Sequence, residues 1–260
     1  MQFDDSAAYE RFMGRWSRAA APEFLAWLHV PPGGNWLDVG CGTGILAESI
    51  LQHCAPASVD AVDPATAQIE AALRGAGAAA ARFRVADAQQ LPFADASFDV
   101  IASALVINFI PNQPLALAEM RRVARAGAVV AGFVWDFAEN LSPSGPLRDA
   151  LRRHGIDVPA TPGTESSRPG ALHALFADAG FEDIEARSIE VCLGYENFED
   201  FWQAQTPSYA PITKVIAALP ETERRRLMRA VESSLPYRPD RHIEYCARAC
   251  AIQGRKPAAR

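Results

Sequence analysis

Lysine is almost missing from this chain: of the 25 basic residues, only Lys214 and Lys256 are not arginine. With the alanine runs, that is the coding habit of a GC-rich genome and not a functional signature. Positive charge is not in surplus either. Thirty-one acidic residues against 25 basic ones leave a net charge of −6. That balance argues against a protein whose affinity comes from neutralising phosphates, so nucleic acid is not the expected partner, although a local basic groove stays open. Cysteine is sparse, and Cys41, Cys54, Cys192, Cys246 and Cys250 are odd in number with no CxxC pair. The expectation is neither a metal site nor a disulfide framework, but thiols in a reducing cytoplasm. Cys246 and Cys250, on one side of a presumed last strand, are expected as buried thiols. No uncharged apolar run reaches the ~18 residues of a membrane span. Met1–Arg11 carries Asp4, Asp5 and Glu10 where a signal peptide would be apolar. What is left is a cytoplasmic globular protein with no membrane partner.

What is present suffices for a large core. The chain has 260 residues, 49% of them hydrophobic and 22% charged, enough to fold without staples. Between Asn35 and Asp136, short apolar runs alternate with helical stretches. Strands are predicted at 36–39, 58–62, 82–85, 98–103 and 128–134. Helices are predicted at 45–53, about 65–74 and 114–124. Such alternation implies a doubly wound α/β domain with a mostly parallel sheet. Before it, Tyr9, Phe12, Met13, Trp16 and Ala20 share one face of a helix within residues 1–30. After Asp136 come Pro/Gly/Ser-rich loops, a helix near 171–179 and a long strand at 182–193. Helices broken at Pro207, Pro211 and Pro220 follow, then an antiparallel last strand over 242–252. One domain is expected, with a cap (1–30), a binding core (35–136) and a partner-side region (137–260).

The strongest local signal is Leu37-Asp38-Val39-Gly40-Cys41-Gly42-Thr43-Gly44. A strand ends in glycines that let a ligand approach the backbone, and a helix N-terminus follows. The spacing is G-x-G-x-G, not the G-x-G-x-x-G of dinucleotide sites, which disfavours an NAD-dependent reductase. The acid two residues before the first glycine would repel a pyrophosphate and attract an ammonium group. Asp63, at the end of the second strand, can accept both hydroxyls of a ribose. It can also cap the helix opened by Pro64. Asp87-Ala88, at the end of the third strand, could meet an adenine amino edge.

With these residues read, the chain resembles the class I S-adenosylmethionine-dependent methyltransferases, in particular the small bacterial type 11 members. The likeness rests on 37–44, Val62-Asp63-Pro64, Val85-Ala86-Asp87-Ala88 and Leu91-Pro92-Phe93. It continues with Ser97-Phe98-Asp99-Val100, Glu119-Met120-Arg121-Arg122-Val123 and the opening Tyr9–Ser17. It departs at Arg125-Ala126-Gly127-Ala128, where the family has a proline and two glycines. The resemblance implies a seven-stranded Rossmann-like methyltransferase fold with the last strand antiparallel, an N-terminal helix and a helical C-terminal insertion. It also implies S-adenosyl-L-methionine as cofactor, leaving S-adenosyl-L-homocysteine, with no metal. Gly40, Cys41 and Gly42 would pass along the homocysteine part, with Asp38 on its amino group and Tyr9 and Arg15 on its carboxylate. Asp63 would bind the ribose, Pro64 and Ala88 would sandwich the adenine, and Asp87 would meet its amino edge. Ser103 and Ala104 would line the methyl-transfer end.

Methyl transfer from a sulfonium needs mainly alignment, so no catalytic base is assigned; His154 and Asp136 are the weak candidates. Acceptor-pocket candidates lie beyond the carboxyl ends of the strands: Asn108, Phe109, Trp135 and Phe137. Phe198, Phe201, Trp202 and Tyr209 could form a lid, though their helical spacing favours a core role for the first three. The expected partner is a small, apolar or aromatic acceptor, with a homodimer left open. The alternatives are a methyltransferase acting on RNA or protein, and a non-catalytic cofactor-binding partner protein. The run Glu223–Arg229 is expected to be a solvated helix face.

Overall fold

The computed structural model describes residues 10–258 apart from 76, 159, 209 and 241. Tyr9 and Tyr209 therefore lie outside the described residues. A π-helical turn, Glu10–Gly14, leads into α1 (Arg15–Trp27). Then follow β1 (Asn35–Val39), α2 (Ile45–His53), β2 (Ser58–Asp63), α3 (Thr66–Ala72), β3 (Ala81–Val85) and β4 (Phe98–Ala104). Next come α4 (Gln113–Val123), β5 (Ala124–Trp135), α5 (Gly145–Arg153) and α6 (Pro169–Asp178). The described chain ends with β6 (Glu182–Tyr195), α7 (Phe198–Gln205), α8 (Pro211–Ala217), α9 (Glu221–Ser234) and β7 (Ile243–Arg255).

The seven strands form one sheet in the order β3-β2-β1-β4-β5-β7-β6. The β1–β2, β1–β4, β2–β3 and β4–β5 pairs are parallel, and β7 is antiparallel to both of its neighbours. This is the doubly wound sheet expected from the sequence, with the last strand reversed. Strand order changes direction between β1 and β4, and open α/β sheets bind ligands at such a switch. Because side chains alternate along a strand, β1 feeds both faces. Trp36 enters the cluster with Trp16, Phe24 and Phe133, whereas Leu37 and Val39 enter the one with Ile101, Val130 and Phe176. All of these side chains are buried. The expected apolar face of the first helix is there too: Phe12, Trp16 and Ala20 are buried.

Two expectations need correction. The fifth strand begins at Ala124, not Ala128, so the departure at Arg125–Ala128 lies inside the strand. Phe98 pairs with Ala124 across a register shift, the Arg125 guanidinium grips both Asp99 oxygens at 2.7 and 2.8 Å, and Gly127 takes φ +77°. A bulge at a left-handed glycine thus replaces a turn. Secondly, Cys192 and Cys246 are not thiols but a disulfide. They stand 54 residues apart in sequence, and only the antiparallel register of β6 and β7 brings them opposite each other. Local spacing carries no trace of that pairing. Cys41 and Cys250 are buried free cysteines.

The arginine run sits on α9, where the Arg225 guanidinium donates to Glu221 at 2.6 Å, Arg224 pairs with the same carboxylate, and Leu227 and Val231 face inward. It is a partly neutralised helix face. Among the described residues no helix is long and apolar enough to cross a membrane.

Candidate cofactor and acceptor site

A cleft of about 830 Å3 opens over the carboxyl ends of β1, β2, β3 and β4. That lies in the upper part of the range of ligand pockets, ~300–1,000 Å3. Its floor is the glycine loop. The Gly40 and Cys41 N–H groups both donate to Val62 O, at 2.8 and 2.9 Å, folding the loop back over β2. Gly40, Gly42 and Gly44 take φ of +77°, +52° and +89°, the region that glycine enters without strain. At Gly40 a Cβ would stand 2.5 Å from both Val106 methyls, whereas at Gly42 the nearest atom would be 4.0 Å away. Gly40 is therefore required by the protein's own packing. Gly42 leaves room for something else.

Asp38 lies beneath this loop, fully buried, and the Ala47 backbone N–H faces its carboxylate without closing a well-formed hydrogen bond. Burial pushes its pKa from 3.8 up to about 8, and the nearby Asp63 charge adds to the rise. The Ala47 amide offsets only part of that rise, and a buried acid at the floor of a cleft is costly unless a ligand supplies a further donor or a positive charge. Asp63 is differently placed. Its Oδ2 accepts from Gly42 N–H at 3.0 Å and its Oδ1 from Ala65 N–H at 2.9 Å, so it ties the glycine loop to the entry of α3. The N-cap itself is Ala65, which corrects the capping role considered for Asp63: it holds the approach to the helix. Burial raises its pKa, and the two amides work against that rise. Each oxygen keeps a lone pair for a ligand. Asp87 accepts from the Gln89 backbone and side-chain N–H groups at 2.8–3.1 Å, and Pro64, Asp87 and Ala88 all line the cleft.

Not every expected residue comes here. Ser103 is fully buried and its hydroxyl donates to Val39 O at 2.9 Å, so it staples β4 to β1 instead of lining the cleft. Its neighbour Ala104 does line it. Arg15 points to the far side of α1. There it donates to Gly194 O at 2.7 Å and sits 4.7 Å above the Tyr195 ring. Asp136 is buried off the cleft, and its Oδ2 accepts from Arg248 at 2.6 and 2.9 Å, a structural ion pair. His154 is exposed at the end of α5, with Nδ1 against Ala150 O at 2.8 Å. Trp202 packs on Phe198, ring centroids 5.8 Å apart, and Phe201 is fully buried between Tyr195 and Tyr245. Phe201 is core, Phe198 and Trp202 are half-buried against it, and none of the three lines the cleft.

Asn108, Phe109, Trp135 and Phe137 do gather at the other end of the cleft. Phe109 and Phe137 meet edge to face at 6.5 Å, and the Trp135 indole N–H points to Met13 Sδ at 3.1 Å. Asn108 donates to Pro162 O at 3.1 Å, while its buried Oδ1 has no hydrogen-bond partner. Leu105, just past β4, takes φ +62°, a strained conformation of the kind that collects at binding sites.

Sequence reasoning missed Glu10, Arg148 and Gln205. Glu10 accepts from the Thr43 hydroxyl and from Arg18 at 2.9 Å, which docks the N-terminal segment on the glycine loop. Its place in the opening motif was the available signal. Arg148 and Gln205 lie in stretches without any motif, and only the fold brings them to the cleft.

Residues 37–132 match the family model of a methyltransferase domain. That stretch is a methyltransferase domain. The malonyl-[acyl-carrier protein] O-methyltransferase of Serratia marcescens is 32% identical over 131 residues, covering 48% of this chain and 50% of that protein. The demethylmenaquinone methyltransferase of Roseiflexus sp. RS-1 is 36% identical over 105 residues, 40% of this chain and 44% of that one. The chain thus matches about half the length of these curated relatives. A solved phosphoethanolamine N-methyltransferase 2 of Haemonchus contortus, bound to S-adenosylhomocysteine, superposes with TM-score 0.57 at 19% identity. That superposition covers 98% of this chain and 58% of the other, and shows a shared fold. The family cofactor is S-adenosylmethionine. The residues present fit it: a buried acid under a glycine cradle suits its ammonium group, and a second acid with spare lone pairs stands at the end of β2.

Proposed function

We propose that this chain transfers the methyl group of S-adenosylmethionine to a small acceptor held in the apolar end of the cleft. The observation that carries the reading is Asp38, a fully buried acid faced by no more than the Ala47 amide, under a loop whose three left-handed positions are all glycine. Asp38 would hold the amino group, Asp63 the ribose hydroxyls, and Pro64, Asp87 and Ala88 the adenine. Gly40–Gly42 and Ala104 would border the reacting end. Asn108, Phe109, Trp135 and Phe137 would orient the acceptor and exclude water. When bound there, the cofactor would supply an activated methyl on sulfur for in-line transfer to the acceptor. Alignment along that line is what the chain contributes. No titratable side chain among the expected bases reaches the cleft, so the acceptor's nucleophilic atom would be one that needs no strong base.

Calorimetric titration with S-adenosylhomocysteine, with NADH as control, tests the first half of the reading. Micromolar binding of the former alone is expected. The absence of binding by folded protein would overturn it. Transfer of labelled methyl to a panel of small apolar acceptors tests the second half. Transfer only to RNA or to protein would replace this reading with the macromolecular one.

A further inference from the structure

β6 is the outermost strand on its side of the sheet, and Cys192 on it is exposed; its partner Cys246, on β7, is half-buried. The two face each other directly in an antiparallel register that runs without a break from Ala186–Ile252 to Tyr195–Ile243. Ile189, Val191 and Tyr195 of β6 are buried in the core. Backbone pairing and packing therefore hold these strands together whether or not the sulfurs are joined. The bridge also stands beside a junction with the cleft. Next to Cys246, the Tyr245 hydroxyl donates to Ser142 O at 3.0 Å. Two residues past Cys246, Arg248 N–H donates to Leu141 O at 2.8 Å and Arg248 O accepts from Asp136 N–H at 2.9 Å. The Arg248 guanidinium holds Asp136 Oδ2 as well. Residues 245–248 of β7 thus carry the 136–142 loop, which starts between Trp135 and Phe137 at the acceptor end of the cleft.

We propose that the Cys192–Cys246 bridge is a thiol–disulfide exchange site, opened by a dithiol reductant and re-formed by a disulfide oxidant, and that its state sets how firmly the acceptor wall is held. The second half rests on the reading of Trp135 and Phe137 as that wall. Access separates an exchangeable bridge from an inert one, because a thiolate has to reach one of the sulfurs. Cys192 gives that access at a sheet edge. In the exchange, one thiolate of the reductant attacks Cys192 Sγ, the Cys192–Cys246 bond breaks, and Cys246 leaves as a thiolate that takes up a proton. The second thiol of the reductant then displaces Cys192. The chain gains two electrons and two protons, and the dithiol becomes a disulfide. With the covalent tie gone, the stretch from Tyr245 to Arg248 is held to β6 by hydrogen bonds and packing alone, and local opening costs less. The loop it carries loosens with it. The glycine loop follows β1, which β4 and β5 separate from β7, so the donor pocket keeps its shape.

The test treats the folded full chain with millimolar dithiothreitol and no denaturant, traps thiols with an alkylating agent and maps the adducts by mass spectrometry. Cys192 and Cys246 are expected to become alkylated together, and oxidised glutathione to restore the bridge. A bridge that opens only after unfolding in urea would overturn the exchange site. Hydrogen exchange at short labelling times, which samples local opening and not global unfolding, tests the coupling. The Asp136 and Arg248 amides should exchange at least about tenfold faster in the reduced chain. The Gly40 and Cys41 amides and the affinity for S-adenosylhomocysteine should stay unchanged. A double variant, Cys192→Ser with Cys246→Ser, should show the reduced pattern and no response to dithiothreitol, which excludes an effect through the other thiols. Unchanged exchange at Asp136 and Arg248, or an acceleration spread evenly over the chain, would overturn the coupling. Failure of either form to bind S-adenosylhomocysteine removes the acceptor-wall role together with the methyltransferase reading, while the alkylation pattern decides the exchange site by itself.

Discussion

Replacing Asp38 by asparagine should make the cofactor-free protein more stable and at the same time worse at binding. An acid whose pKa is higher in the folded than in the unfolded chain costs stability as pH rises from the unfolded value to the folded one. For Asp38 that window runs from 3.8 to about 8. Below it the carboxyl is neutral in both states and nothing is lost; above it the penalty is constant. Each pH unit inside the window is worth about 1.4 kcal/mol, so the charge penalty at pH 7 approaches ~4 kcal/mol. Asparagine removes the charge but keeps a buried polar group, which costs ~1–2 kcal/mol if unpaired. The net gain expected at pH 7 is therefore ~2–3 kcal/mol. Urea unfolding of both proteins at pH 5, 7 and 9 measures it, because every other titrating group is common to the pair. The stability difference should widen from pH 5 to about 8 and then level off. Calorimetry should show S-adenosylhomocysteine binding to the natural protein at pH 7 with release of about one proton, and binding by the variant much weakened. A pH-independent difference, or an asparagine variant that binds normally, would refute the account of Asp38 as an acid strained for the sake of a ligand.

The other predictions concern separate parts of the frame. Asp63→Ala should weaken S-adenosylhomocysteine binding by roughly 1–3 kcal/mol, the scale of a lost hydrogen bond to a charged group, because the proposed ribose partner goes and the Gly42 N–H loses its anchor. Gly40→Ala should destabilise the chain, since a left-handed alanine costs ~1–2 kcal/mol and its Cβ meets Val106 at 2.5 Å; shortening Val106 to alanine should recover part of the loss in a thermal melt. Asp136→Asn should cost ~2–3 kcal/mol by loosening the Arg248 pair, with cofactor affinity unchanged because neither side chain lines the cleft. A reductant should lower the unfolding free energy by ~4 kcal/mol, the loop-closure value for a bridge across a stretch of this length, and Cys246→Ser should match the reduced protein and be insensitive to reductant.

The parts of the fold legible in the sequence are those where local pattern and tertiary role coincide. The strand ending at Val39, the glycines after it and the helix from Ile45 are each dictated by residues within a few positions. The placing of Asp63 in the cleft was readable because its strand ends beside the glycine loop in any parallel β1–β2 pair. Arg15 and Ser103 were misplaced for opposite reasons. Helix rotation decides which way Arg15 points, and a fixed offset from a motif does not supply it. Ser103 falls on the covered side of β4, where the hydroxyl finds Val39 O before any ligand. Phe201 follows the helical spacing that marks core residues, and core is what it is, while Trp202 is half-buried against that core. Nothing local announces Gln205 or the Cys192–Cys246 bridge, because each depends on a contact between distant segments that the sheet register and the packing of α7 decide.

The cleft also divides by position along the chain. Asp38, the glycine loop, Asp63, Asp87 and Ala104 all come from residues 38–104, one uninterrupted stretch. The opposite wall is assembled from positions 108 onward together with the opening helix. The first wall is braced from outside by Arg122, which reaches Leu91 O, Phe93 O, Asp95 and Glu119 at 2.7–3.0 Å and so fixes the segment after Asp87. Descendants of such a chain can rewrite the second wall piece by piece while the first keeps its shape. One donor pocket can thereby be inherited by lineages that modify different molecules, and the acceptor is the more changeable trait of the two.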